Sequence, residues 1–336
     1  MTEPVKVSLV VPVGGAAPAW PRSARSLAHL DPPPHELIVV IDGVVDDNAH
    51  PSDAAPDSSR ILQLDERGGP ARARNRGAAE ATGEVLLFLD ADIEAPPDLI
   101  ERVQNAFAGL EAPDAVLGSY DDTPSDASWV SQFRNLLHHY VHQTSHETAS
   151  TFWSGCGAVR REAFLEVDGF DEGYGDPSIE DIELGARLIR SGRRIRLVRH
   201  LQVKHLKRWT FRSMVHTDLF KRAIPWTEQM LSSGGLVDDL NVKPRYRISV
   251  AFAFLLLAAL PLSVAFRPAR WLAAAIGGGI VALNAGLFGL FRRIHGSLFA
   301  LASLPLYWVY LLICGLGFGL GSLRFFAGRH TSKPTS

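Results

Sequence analysis

The sequence predicts an α/β domain with a mostly parallel sheet, followed by helices that cross a membrane. Three observations carry this. Short apolar, β-rich runs alternate with segments of helical character up to residue 247. The runs are apolar almost throughout, as in strands covered on both faces. Beyond residue 247 come three long uncharged stretches, Ile248 to Phe266, Trp271 to Phe291 and Ser297 to Leu323, each long enough to span a hydrocarbon core of roughly 30 Å.

The elements follow in order. KVSLVVPV and HELIVVIDG are the first two strands, with helical character between them from Ala19 to Leu30, and RILQLDE is the third. GPARARNRGAAEATG reads as a helix closed by Gly83, and EVLLFLDAD is the next strand. Polar stretches at Asp46 to Ser59 and Tyr120 to Ser128 read as loops. The expected organisation is an α/β domain over 1–230, a linker over 231–247, three transmembrane helices over 248–323 and a polar tail over 324–336. Small residues in CGLGFGLG suit close packing between spans. From Phe211 to Ile224, apolar residues recur at helical spacing beside Arg212, Lys221 and Arg222, as in a helix at a membrane interface or one packed on the domain.

A formal net charge of -2 over 336 residues argues against a nucleic-acid partner, which needs a clear excess of Lys and Arg. The two cysteines, Cys156 and Cys314, suggest neither a disulfide framework nor a zinc cluster, and fit a reducing compartment. The start MTEPVKVSLVVPV lacks the pattern of a cleavable signal peptide, so the main body is expected in the cytosol. Basic residues flank every span and do not set an orientation by themselves.

Asp90 and Asp92 end an apolar strand, where ligands of such sheets gather, and Asp42 ends another. Two carboxylates at i and i+2 can converge on a hard divalent cation, Mg²⁺ or Mn²⁺, whose other ligands are commonly substrate phosphates. A plainer reading has Asp92 capping a helix that begins near Pro96.

In sum, VSLVVPV, ELIVVIDG, GGPARARNRG, GEVLLFLDAD, GCGAVRREAFLEVDGFDE and IEDIELGARLIRSGRRI, in this order over roughly residues 5 to 210, resemble a family 2 glycosyltransferase of the GT-A fold. That fold is a Rossmann-like, mostly parallel α/β domain. The resemblance implies a nucleotide-diphosphate sugar donor, bound by Pro12, Asp42, Gly69, Arg74 and Asp90, and a cation held by Asp92 with Asp90. The family's paired aspartates after the second strand are here IDG, which departs at one ribose or base contact. The resemblance also implies an inverting transfer with Asp181 as base and Glu180 beside it. Read locally, Ser178 and Asp181 instead fit a capping box. His205, Arg208 and Trp209 resemble an Arg-Trp motif that borders acceptor and diphosphate in ceramide glucosyltransferases and polysaccharide synthases, with His in the first place. His205 is also a candidate metal ligand.

His138, His142 and His146 stand four residues apart, a spacing that can chelate a metal on a helix or simply line a solvated face. Cys156 reads as a packing residue. Gly155 and Gly157 read as backbone close to substrate. The whole implies a multi-pass enzyme of the cell membrane, its catalytic domain cytoplasmic, that glycosylates a lipid acceptor, a polyprenyl phosphate or hydroxylated lipid. A processive polysaccharide synthase, a nonenzymatic scaffold and a nucleotidyltransferase are the alternatives.

Overall fold

The computed structural model describes residues 3–15, 17–43, 50–233 and 240–331. Parts of the expected 46–59 loop, the linker and the polar tail lie outside them. The chain divides into two compact units, Met1–Arg208 and Trp209–Ser336.

The first unit is one mixed sheet of nine strands: β1 (Val7–Gly14), β2 (Glu36–Asp42), β3 (Ser59–Gln63), β4 (Val85–Leu89), β5 (Ile93–Glu94), β6 (Ala115–Tyr120), β7 (Thr148–Ala149), β8 (Cys156–Arg160) and β9 (Ile195–His205). Its order is β3-β2-β1-β4-β8-β6-β9-β5, with β7 on β9. From β3 to β4 neighbours are parallel; β8 runs antiparallel between β4 and β6. The helices are α1 (Trp20–Leu27), α2 (Gly69–Glu80), α3 (Leu99–Ala106), α4 (Trp129–Gln143), α5 (Arg161–Glu166) and α6 (Glu180–Arg190).

Period-two alternation divides β1 between two cores. Leu9, Val11 and Val13 pack with Trp20, Leu27, Leu99 and Val103 of α1 and α3, while Val10 packs with Ala71, Ala78, Phe164 and Leu184 of α2, α5 and α6. Both faces are thus covered, which is why these strands are apolar from end to end. Polar side chains collect instead where the strands stop. In the register of β1 on β2, Pro12 stands opposite Val40 and Gly14 opposite Asp42, so Pro12 and Asp42, two of the expected donor-binding residues, lie toward that end.

In the second unit, α7 (Phe211–His216) passes through a wider π-type segment, Thr217–Ala223, into α8 (Ile224–Ser232). Met214, Leu219 and Ile224 are buried, and Phe211 and Phe220 are exposed. Then come α9 (Pro244–Ala265), α10 (Arg267–Leu283) and α11 (Ala285–Thr331), the last kinked at Gly296. Among the described residues two helices, Pro244–Ala265 and Ala285–Ala327, are long and apolar enough to cross a membrane, where the sequence leads one to expect three. The middle stretch, Trp271 to Phe291, is not one helix: it breaks at Asn284, which caps α10. The break is held by polar bonds. Asn284 Nδ2 donates to Ser249 Oγ at 2.9 Å, and Tyr307 Oη donates to Asn284 Oδ1 at 2.7 Å, all three residues being buried.

Candidate active site

The site lies at the strand ends of the first unit. At the end of β2, Asp42 accepts from the backbone N–H of Gly68 at 2.8 Å and of Gly69 at 2.9 Å, one on each oxygen. It therefore anchors the loop that starts α2. Gly69 has φ +84°, and a Cβ there would lie 2.2 Å from the carbonyl oxygen of Gly175, so this backbone path requires glycine.

From α2, Arg74 reaches back to the sheet. Its side chain is 4% exposed and donates to Asp90 Oδ1 at 2.7 Å and to Glu180 Oε1 at 3.0 Å. One guanidinium thus ties the end of β4 to the start of α6, 106 residues apart in sequence. Burial works against its charge, but Asp90, Glu180 and Asp181 outweigh that and raise its pKa. On the next residue, Asn75 clips the 170s loop, accepting from Phe170 N at 2.9 Å and donating to Phe170 O at 2.8 Å.

Asp90 and Asp92 follow β4 with side chains about a third exposed, at 34% and 33%. Asp92 caps no helix: α3 begins at Leu99 and its N-cap is Asp98. Instead β5 turns back along β9 with Ile93 opposite His205, and this brings His205 Nε2 to 3.4 Å from Asp92 Oδ2. Burial acts most strongly on both acids. It keeps Asp90 above its ordinary value despite Arg74, whereas His205 and Lys207 overcome it at Asp92 and hold that carboxyl below.

Around His205 lies a group of rings. Tyr120, at the end of β6, stacks on it at 4.3 Å and 11°, and meets His138 at 4.3 Å and the edge of Trp153 at 4.9 Å. Burial and the charges of Asp92 and Asp90 push the Tyr120 phenol well above its usual range. The predicted histidine spacing does not make a chelate. His138 and His142 stack ring on ring at 4.1 Å, His142 Nδ1 is bonded to Gly118 O, and α4 ends at Gln143 before His146. Burial and the neighbouring His142 hold His138 well below its usual pKa.

Asp181 stands in the first turn of α6. Its Oδ2 accepts from Ser154 N at 3.1 Å and Ser154 Oγ at 3.3 Å, and its Oδ1 from Ile182 N at 2.8 Å. No capping box forms: the N-cap is Ile179, with no side-chain bond, and Ser178 N donates to Glu180. Burial and the adjacent Glu180 push Asp181 up to about 7. Gly155 and Gly157 make room for the protein's own side chains, since a Cβ would lie 2.5 Å from the Trp153 indole at the first and 2.6 Å from the Phe152 ring at the second. Cys156 is buried, and burial lifts its thiol to about 12. Arg208, 75% exposed, lies 3.9 Å from Asp126, and Trp209, the first residue of the second unit, is buried.

Among the described residues no three His, Cys, Asp or Glu side chains gather as a ready-made metal cage. The chemistry of the donor set still suits a small divalent cation: a carboxylate oxygen and an imidazole nitrogen face each other, with a second carboxylate two residues away. Such a cation is commonly bound by one or two protein carboxylates together with substrate phosphates. Asn135, Tyr120, Trp153 and Ser154 were not singled out from the sequence. The only signal for Asn135 was its place with His138, His139 and His142 at helical spacing on one face of α4.

The comparisons agree with this architecture. The profile of "Glycosyl transferase family 2" matches residues 8–168, and that of "N-terminal domain of galactosyltransferase" matches 136–210. The glucosyl-dolichyl phosphate glucuronosyltransferase of Haloferax volcanii is 28% identical over 155 residues, 42% of this chain and 48% of that protein. The pre-mycofactocin glycosyltransferase of Mycobacterium tuberculosis is 30% identical over 221 residues, 61% of this chain and 45% of that protein. The chain thus spans just under half the length of these relatives. Among solved structures, the mannosyltransferase PcManGT of Pyrobaculum calidifontis, in complex with GDP-Man and Mn²⁺, superposes with a TM-score of 0.52 at 18% identity, covering 98% of this chain and 89% of that one. Residues 8–168 thus carry a glycosyl transferase family 2 domain, and the first unit has the GT-A fold.

Proposed function

We propose that the protein is a membrane-anchored, metal-dependent, inverting glycosyltransferase that moves a sugar from a nucleotide-diphosphate donor to a lipid acceptor, a polyprenyl phosphate or a hydroxylated lipid. The observation that carries this reading is the Arg74 bridge, which joins Asp90, beside the Asp92–His205 pair, to Glu180 beside Asp181. A donor-holding half and a base-bearing half of a transfer site are thereby coupled.

Asp92 and His205 would hold the cation, with Asp90 beside them. A bound divalent cation would offset the negative charge that builds on the departing nucleoside diphosphate. Asp181 accepts the proton of the attacking group, a lipid hydroxyl or a phosphate P–OH, its carboxylate aimed by Ser154 and by the Ile182 amide. Attack from the face opposite the leaving group inverts the anomeric centre. The Gly68–Gly69 loop held by Asp42, with Pro12 on the neighbouring strand, borders the nucleoside side, and Arg208 the acceptor side. Support for the donor and the metal comes from PcManGT, a complex with GDP-Man and Mn²⁺, and support for a lipid acceptor from the Haloferax enzyme, named for glucosyl-dolichyl phosphate. The two long apolar helices fit an acceptor held in the bilayer, with the first unit in the cytoplasm where nucleotide sugars are made.

The test is transfer by the purified chain in lipid from labelled UDP- and GDP-sugars to a total lipid extract, with Mn²⁺, with Mg²⁺ or with chelator. Label entering the organic phase from one donor is expected, lost in chelator and in Asp92→Asn, and reduced by on the order of 10²- to 10⁴-fold in Asp181→Asn. Label in an insoluble polymer would mark a polysaccharide synthase, and no metal-dependent label from any donor would leave a scaffold.

A further inference from the structure

His205 has two ring nitrogens, and the structure gives each a partner of a different kind. Nε2 lies 3.4 Å from Asp92 Oδ2. Nδ1 lies 2.7 Å from Oδ1 of Asn135, a side chain on α4 that is 1% exposed. An amide oxygen has no hydrogen to give, so the hydrogen of this bond belongs to Nδ1. An imidazole that ligates a cation is neutral and carries one N–H only, and with it on Nδ1 the lone pair of Nε2 is the one presented beside the carboxylate. Two electron-pair donors then face each other, an arrangement that a cation satisfies.

Two further observations give Asn135 the same role. Its Nδ2 is buried with no hydrogen-bond partner. An asparagine serving only as filling would be better replaced by a leucine of similar size, which strands no N–H, so the amide is explained by its oxygen. The stack of Tyr120 on His205 at 4.3 Å restrains the ring's tilt, and the bond to Asn135 restrains its rotation in its own plane.

We infer that Asn135 is a positioning residue of the cation site: by accepting from Nδ1 it fixes the tautomer and orientation in which His205 presents Nε2, beside Asp92, to a divalent cation. This rests on the reading of Asp92 and His205 as cation ligands. Outer partners of this sort commonly change metal affinity by about 10- to 100-fold when removed.

The test is a titration of the purified full chain with Mn²⁺ alone, following free ion by its paramagnetic resonance signal. Asn135→Leu and the smaller Asn135→Ala are both made, so that a fold lost to the bulk of leucine leaves alanine to decide. Each is expected to weaken Mn²⁺ binding by about 10- to 100-fold, while Asn135→Asp, whose carboxylate still accepts from Nδ1, stays within roughly threefold of wild type. His205→Ala loses at least as much, and Asn135→Leu combined with His205→Ala binds no more weakly than His205→Ala alone. That non-additivity separates positioning from a structural role. If Asn135→Leu and Asn135→Ala bind Mn²⁺ like wild type while His205→Ala and Asp92→Asn do not, the inference is wrong and the metal reading stands. If His205→Ala and Asp92→Asn also bind like wild type, both fall.

Discussion

At the scale of the residue, Asp181 has the environment a general base needs. An ordinary aspartate near 3.9 is a weak proton acceptor, whereas burial and Glu180 lift this one to about 7, where acceptance is far more favourable. The bonds from Ser154 and the charge of Arg74 act the other way and keep the shift from going further. On the proposed mechanism, the transfer rate at limiting donor rises about tenfold per pH unit up to about 7 and then levels. A pH profile of lipid labelling checks this, and a flat profile between pH 5 and 8 would remove Asp181 from the role of base. Linkage carries the same shift into stability, with a definite sign. Because the folded pKa exceeds the unfolded one, the folded state holds the proton more tightly. The resulting stabilisation is full below about 4 and is lost as pH rises through about 7. The pH at which Asp181 becomes competent for the proposed role is therefore the pH at which it ceases to help the fold.

At the scale of the element, α2 organises the site. Its first turn is anchored by Asp42, its middle supplies Arg74 to two acids, and Asn75 beside it holds both backbone groups of Phe170. The loop from Phe170 to Ser178 leads into α6, so the position of Asp181 depends on that clip. Asn75→Ala leaves the Phe170 amide without its acceptor, a loss of about 1–3 kcal/mol. Amide exchange over residues 170–176 is expected to rise on the order of 10- to 100-fold, with the strands of the sheet unaffected. Unchanged exchange there would show that the loop is held by other contacts. Most of α2 was legible as a helix between two strands, with Pro70 near its start and an alanine-rich packing face. What Arg74 and Asn75 hold was not legible, because their partners lie 16 to 106 residues away and are met only after the sheet has closed. The same is true of Asn135, whose partner is 70 residues away. The acids at the strand ends could be read directly, since apolar runs that stop in Asp need no tertiary information. The break in the middle apolar stretch is not legible for a related reason: hydropathy summed over a window registers length and charge, and a single Asn that interrupts the helix while bonding Ser249 and Tyr307 changes neither.

At the scale of the whole molecule, the chain joins a family 2 domain to a helical unit with two helices able to cross a bilayer. If nucleotide sugar is the donor, the first unit must face the compartment where such sugars are made, and in a cell this is the cytoplasm. The sequence offers a clean way to ask. Its two cysteines are poor targets for an aqueous reagent, since Cys156 is buried and Cys314 lies within the apolar length of α11. Leu110, between α3 and β6, is fully exposed at 102% and distant in sequence from every residue assigned to the site. Leu110→Cys therefore places one reactive thiol on the first unit, where a surface change of this kind costs within about 0.5 kcal/mol. With a membrane-impermeant maleimide, intact cells are expected to leave this thiol unlabelled and lysed cells to label it fully, while the wild-type chain stays unlabelled in both. Labelling in intact cells would put the first unit outside, away from nucleotide sugars, and would require a lipid-linked donor in place of a nucleotide one.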